Sequence, residues 1–120
     1  YLLLPGTILS MYNIVDIDMI FEQLQFPIIA VNSKDSSGLH DTLKHHFPNN
    51  FETKIEQYEK LGSRHTINLD EKNEIYLRMR GCTIEDCKIL LSKITLQGSI
   101  PEPLRVSQSL AKTLLKTSLR

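Results

Sequence analysis

Hydrophobic and polar positions alternate in blocks along the 120-residue chain, and the period changes from block to block. Leu2, Leu3 and Leu4 come first as an unbroken apolar run closed by Pro5 and Gly6, the pattern of a fully buried strand. From Asp16, a residue type that caps helices, Ile17, Ile20, Phe21 and Leu24 recur at helical spacing until Phe26-Pro27 stops the run. "PIIAVNS", residues 27 to 33, has the β-branched apolar character of a buried parallel strand. Ser36 or Ser37 then opens a helix that places Leu39, Leu43 and Phe47 on one face, and Pro48 ends it. Asn49 and Glu52 have capping-box spacing for a further helix with Phe51, Ile55, Tyr58 and Leu61 as its stripe and Gly62 as its stop. These two helices are expected to pair antiparallel.

Between Arg64 and Arg80 the period falls to two. Ile67 and Leu69 alternate with Thr66 and Asn68, and Ile75, Leu77 and Met79 with Tyr76, Arg78 and Arg80, around a polar "DEKN" turn. The pattern predicts a hairpin with one buried face and one wet face. Thr83 and Asp86 open a helix whose Ile84, Cys87, Leu90, Leu91 and Ile94 face the core, with Gly98 closing the segment. A last helix is predicted from about Pro101 to Lys116, with Leu104, Ala111, Leu114 and Leu115 inward and Lys112 and Lys116 outward. Strand, helix, strand, helices, hairpin, helix, helix is an α/β order, and it predicts a single domain built on a mixed sheet. If residues 2–4 and 28–32 run parallel, their carboxyl ends share the edge where open α/β sheets bind ligands. Gly6, Thr7, Asn32, Ser33 and Lys34 then lie at that edge.

Charge narrows the partners. The 14 basic and 14 acidic residues leave a formal net charge of +0, so no global field draws in nucleic acid or an anionic membrane. Any polyanion site has to be local. With no apolar run of membrane-spanning length and no basic leader pattern, a cytoplasmic protein without a membrane partner is expected. Cys82 and Cys87 are too few for a disulfide scaffold, and their spacing of five is not that of a zinc knuckle, so both read as structural. His40, His45 and His46 do not share a helical face and read as surface residues. Tyr1 leads straight into the leucine run, which predicts either absent preceding strands or a partner chain covering that strand.

"GSIPEPLRVSQSLA", residues 98 to 111, brackets Glu102 with prolines and sets Arg105 just behind it. It resembles the C-terminal signature of the endonuclease V superfamily, in which proline, glutamate, proline, a variable residue and arginine introduce the last helix. "FPIIAVNSK" and "YLRMRGCTIEDCKILL" are similar to preceding segments of that superfamily in order and spacing. Closer still is an uncharacterised archaeal relative of endonuclease V, the domain of unknown function numbered ninety-nine. Its "GFNVVDI" motif stands here as "SMYNIVDI", Ser10 to Ile17, and "LKHHFPNN" and "IPEPLRV" also look like it. The resemblance spans essentially the whole chain and implies the C-terminal part of a ribonuclease-H-like fold, a mixed sheet with helices on its faces and without its N-terminal strands.

What the resemblance implies about chemistry is partly negative. Such nucleases hold divalent metal with carboxylates on the first strand and a later one. Pro5 takes the place of the later acid, and Gly81 and Cys82 stand where a histidine is expected, so an intact metal-nuclease site is not expected in this chain. Magnesium belongs to an intact relative, and neither cofactor nor metal is assigned here. Lys34 or its neighbour Ser33 remains as a phosphate contact, with an ordinary solvated lysine as the bland reading. Arg105, Lys112, Lys116 and Arg120 make the tail after Glu102 purely basic, which suits either nucleic acid or a solvated helix face. Asn13, Asp16 and Glu102 are motif residues with structural readings: Asp16 as a cap rather than a metal ligand, Glu102 and Arg105 as the brace of the last helix start. The expected partner is DNA or RNA, with self-association through the N-terminal strand as the alternative. Three functions stay open: part of a metal-dependent endonuclease, a non-catalytic nucleic-acid-binding module, or an oligomerising structural protein.

Overall fold

A computed structural model describes residues 1–9, 13–32 and 39–118. The chain order is β1 (Leu2–Leu4), β2 (Ile8–Leu9), β3 (Asn13–Ile14), α1 (Ile17–Leu24), β4 (Ile28–Asn32), α2 (Leu39–His46), α3 (Phe51–Lys60), β5 (His65–Asn68), β6 (Glu74–Arg80), α4 (Ile84–Ile94) and α5 (Glu102–Ser118). Among the described residues β1, β4, β6 and β5 form a mixed sheet in that spatial order, and β2 and β3 a small antiparallel ladder. The decisive pairing is the one the apolar runs predicted: β1 lies parallel to β4, with Leu2, Leu3 and Leu4 opposite Ile28, Ile29 and Ala30. β6 pairs antiparallel with β4 on one side and β5 on the other.

The alternation of a strand sends successive side chains to opposite faces, and both faces here are covered. Leu3, Ile29, Val31, Ile67, Ile75 and Leu77 pack under α4 and the start of α5, through Cys87, Leu91 and Leu104. Leu2, Leu4 and Ile28 pack on the other side with Ile17, Ile20 and Phe21 of α1 and with Tyr58 and Leu61. α2 and α3 are antiparallel. His40 at the start of α2 meets Tyr58 near the end of α3, ring centroids 6.0 Å apart, while Lys44 lies over Phe51 at the start of α3.

Several sequence expectations are corrected by position. Leu2 to Leu4 are half-buried rather than fully buried, because β1 is an edge strand paired on one side only among the described residues. Leu24 is exposed, since α1 ends there and Gln25 takes a left-handed φ of 58°. Asn50, not Asn49, is the N-cap of α3, and no side-chain cap bond is made. α4 stops at Ile94, ahead of Gly98. On β6 the predicted wet face is not wet throughout, for Arg78 is buried. The largest correction concerns α5: Leu104 is buried, but Ala111, Leu114 and Leu115 are exposed, along with Val106 and Leu110. Among the described residues nothing covers the helix beyond its first turns.

The caps explain where helices begin. Thr83 and Asp86 close a reciprocal capping box, the Asp86 N–H donating to Thr83 Oγ1 at 3.1 Å and the Thr83 N–H to Asp86 Oδ2 at 3.0 Å. At α1 the Met19 N–H donates to Asp16 Oδ1 at 3.1 Å, and Lys60 Nζ donates to Asp16 Oδ2 at 3.2 Å. The Met19 N–H, with Lys60 behind it, holds the Asp16 carboxyl below its ordinary value of 3.8. A depressed folded value means that this stabilisation is present above the unfolded pKa and is lost as pH falls through the folded one. Asp16→Ala is therefore expected to cost about 1 kcal/mol at pH 7, with the gap from the parent closing below about pH 4. Urea unfolding of both chains at neutral and acid pH checks this, and a gap independent of pH would contradict it.

Cys87 sits fully buried on the core stripe, its Sγ 3.8 Å from that of the half-buried Cys82. Burial pushes the Cys87 thiol up to about 12 and also raises Cys82. Cys87 is thus a packing group of the core, with Cys82 packed against it.

Candidate functional site

The parallel pair β1 and β4 brings Pro5 and Gly6 beside Asn32 at their shared carboxyl edge. Gly6 has φ +114°, and a Cβ built on it would stand 2.6 Å from Asn32 Oδ1. Only glycine lets the chain leave β1 this close to the Asn32 amide. One residue on, Thr7 is buried and its Oγ1 accepts from Arg78 Nη1 at 3.1 Å. Asn32 is also level with Tyr76 of β6.

The start of α5 closes the other side. Pro101 is fully buried and its carbonyl accepts from the Leu104 and Arg105 N–H groups, both at 3.1 Å. Pro103 removes one N–H that the first helical turn would otherwise leave unsatisfied. Arg105 Nε donates to Glu102 Oε2 at 3.1 Å, and Nη2 donates to the same oxygen. The prolines and the Glu102–Arg105 pair thus brace the helix start, and the arginine braces Glu102 itself. Between this brace and the sheet edge lies a crevice of about 120 Å³ lined by Pro5, Val31, Asn32, Ser99, Leu104 and Gln108, among others.

Among the described residues that line it, the polar side chains are amides and a hydroxyl, with no carboxylate. Such groups read donors and acceptors but do not neutralise a divalent cation. Pro5 lines the crevice where the resemblance places an acid. No group of three or more metal-ligating side chains occurs among the described residues. Among the described residues, the lining of the crevice does not fit a two-metal centre.

The other candidates are distributed as follows. Ser33 and Lys34, like Ser10, Ser36 and Ser37, lie outside the described residues. Arg105 and Lys112 are exposed on α5. At 3.6 residues per turn, Arg105, Lys112 and Lys116 fall within about 40° of one another, opposite part of the exposed apolar stripe. Asn13 is exposed in β3 opposite Leu9. Asp16 caps α1, and Asp18 accepts from Arg80 Nε at 2.6 Å. His40, His45 and His46 are exposed, with His40 Nε2 3.5 Å from Glu59 Oε1. Sequence reading missed Arg78. The available signal was an arginine two residues from Tyr76 on one strand face, preceded by Arg64 across the hairpin.

The endonuclease dU family model matches residues 1–115. The chain belongs to the endonuclease dU family. Within that family's reach it is 26% identical over 113 residues to a UPF0215 protein of Archaeoglobus fulgidus, covering 93% of this chain and 59% of that one. It is 29% identical over 115 residues to a UPF0215 protein of Methanosarcina barkeri, covering 94% and 58%. The chain spans about three fifths of the length of the curated relatives it matches. The crystal structure of a protein of unknown function from Archaeoglobus fulgidus superposes with a TM-score of 0.74 at 24% identity, over 93% of this endonuclease dU family chain and 62% of the other. That likeness shows the shared mixed α/β fold. No helix among the described residues is long and apolar enough to cross a membrane.

Proposed function

We propose that this chain is the nucleic-acid-binding part of an endonuclease-dU-type protein, ribonuclease-H-like in fold and cytoplasmic, and that by itself it holds a strand without hydrolysing it. The observation that carries the reading is the crevice at the β1–β4 carboxyl edge, where such sheets bind ligands, lined among the described residues by Pro5, Asn32, Ser99 and Gln108 instead of carboxylates. The family name supplies the substrate class: an endonuclease acts on a nucleic-acid strand. The basic face of α5, Arg105 with Lys112 and Lys116, supplies phosphate contacts beside that edge, and Lys34 and Ser33 extend them by sequence.

Fluorescence anisotropy with labelled single-stranded DNA and RNA tests the reading. Affinity is expected to fall linearly on logarithmic axes as salt rises, and Arg105→Gln with Lys112→Gln should flatten the slope by about 0.7 for each phosphate that is no longer neutralised. No cleavage is expected when magnesium is added. Absence of binding at low salt, or strand scission by the 120-residue chain, would refute it.

A second reading, self-association, is favoured by the edge position of β1, where unpaired backbone groups invite another strand. Light scattering over a concentration series decides it: a monomer throughout removes this reading.

A further inference from the structure

Two arginines on one face of β6 are treated differently by their surroundings. Arg80 finds a carboxylate, Asp18, and donates further to the Met79 and Leu61 carbonyls. Arg78 is the more deeply buried, with 6% of its surface exposed, yet among the described residues its partners are all neutral. Its Nε donates to the Gly62 carbonyl at 3.1 Å and its Nη1 to Thr7 Oγ1 at 3.1 Å, while the guanidinium lies 5.4 Å from the centroid of the Tyr58 ring. A guanidinium carries five N–H donors, and these bonds use two. Burying a charge against neutral groups alone is unfavourable, so a buried arginine calls for an anion.

Arg78 lines a cleft of about 560 Å³ together with Tyr58, Arg64, Thr66 and Tyr76. Arg64 lies over the Tyr76 ring, 4.9 Å from its centroid, which gives the cleft a planar stacked surface. Aromatic rings and guanidinium planes are the surfaces on which unpaired bases stack. Thr66 and Tyr76 are paired across β5 and β6, and Tyr76 is level with Asn32 of β4, so the cleft belongs to the same end of the sheet as the crevice. Glu59 also borders it, its Oε1 3.5 Å from His40 Nε2.

We propose that this cleft is a mononucleotide subsite, in which the Arg78 guanidinium holds a phosphate and the Arg64–Tyr76 stack takes the attached base. The subsite deepens the nucleic-acid reading and rests on it for the polymer, though not for the anion. Arg78 forks two neutral protein acceptors to stay in place and offers its remaining donors to phosphate oxygens, the geometry for which arginine is preferred over lysine.

The test is an NMR titration of the 120-residue chain with inorganic phosphate, adenosine, adenosine 5′-monophosphate and, separately, an unlabelled single-stranded oligonucleotide. The monophosphate is expected to bind about tenfold or more tightly than phosphate or adenosine alone, because it joins charge-assisted bonds to stacking. Shifted resonances should centre on Arg64, Thr66, Tyr76 and Arg78. Tyr76→Leu is expected to weaken the monophosphate and spare inorganic phosphate, while Arg78→Lys weakens both about tenfold through loss of the fork. Should Arg78→Lys not fold, Arg64→Gln replaces it, with a loss of about threefold for the monophosphate and none for inorganic phosphate, since the stack alone is removed. Shifts centred elsewhere, unchanged affinities in the variants, or no saturable response to the monophosphate up to about 10 mM overturn the subsite. A chain that binds the oligonucleotide and ignores the monophosphate overturns the subsite while leaving the nucleic-acid reading standing. One that takes the monophosphate at Arg78 and ignores the oligonucleotide does the reverse.

Discussion

Leu77→Ala is expected to lower the free energy of unfolding by about 3–5 kcal/mol, in the upper part of the range for deleting a buried leucine side chain. Leu77 has no exposed surface and lies in β6, which is hydrogen-bonded on both sides, opposite Val31 of β4 and His65 of β5. Its neighbours in the core are Ile29, Val31, Ile75, Cys87 and Leu91, which come from two strands of the ladder and from α4. A cavity there is hard to close, because the two flanking strands fix the β6 backbone and α4 is held by its capping box. Domains of this size are stable by roughly 5–15 kcal/mol, so the loss is a large share of the total. Leu114→Ala is the control. Its side chain looks like core in the sequence but is exposed on α5, and its expected effect is within about 0.5 kcal/mol. Urea unfolding of the two variants decides the matter; a larger loss from Leu114→Ala than from Leu77→Ala would mean that the apolar face of α5 is covered in solution.

The contrast between those two leucines marks what can be read from an amino-acid pattern. Periodicity places residues on faces, and the faces were legible: the parallel partnership of the leucine and isoleucine runs, the stripes of α2, α3 and α4, and the boxes and caps at Thr83 and Asp16 all stand where spacing puts them. What covers a face is set by distant chain, and periodicity is silent on that. Leu114 and Leu115 share the helical stripe of Leu104 but lie beyond the sheet, whereas Arg78 has the alternation of a wet residue but lies beneath Tyr58 and against Thr7, 71 residues away in the chain. The same division runs through the candidate site. Gly6 and Asn32 follow from the parallel pair, since strand ends that share an edge must be neighbours. Leu104 and Gln108 do not, because their place in the crevice depends on the direction in which α5 leaves Pro101. Tyr76 and Arg78 were visible as two strand positions, but the aromatic and cationic partners they meet, Tyr58 and Arg64, come from outside their strand.

Gly81→Ala should cost about 2–5 kcal/mol, and the cost should divide into two separable parts. Gly81 joins the end of β6 to the cap of α4 with φ +79°, a left-handed conformation that penalises any side chain by about 1–2 kcal/mol. A Cβ at this position would also stand 2.4 Å from Cε2 and 2.9 Å from Cζ of Phe21. That ring is not the loose end of a flexible chain: it packs with Ile17, Ile28 and Leu61, on the helix whose Asp18 holds Arg80 beside Gly81. Displacing it disturbs α1, the second core cluster and that ion pair together, an overpacking effect of about 1–3 kcal/mol. In a Phe21→Ala background the steric part has nothing to push against, and only the backbone part should remain. A double-mutant cycle is therefore expected to show a coupling of about 1–3 kcal/mol between the two positions. If Gly81→Ala costs the same with and without the Phe21 ring, the close approach of the β6 exit to α1 is wrong, and the penalty is one of backbone conformation alone.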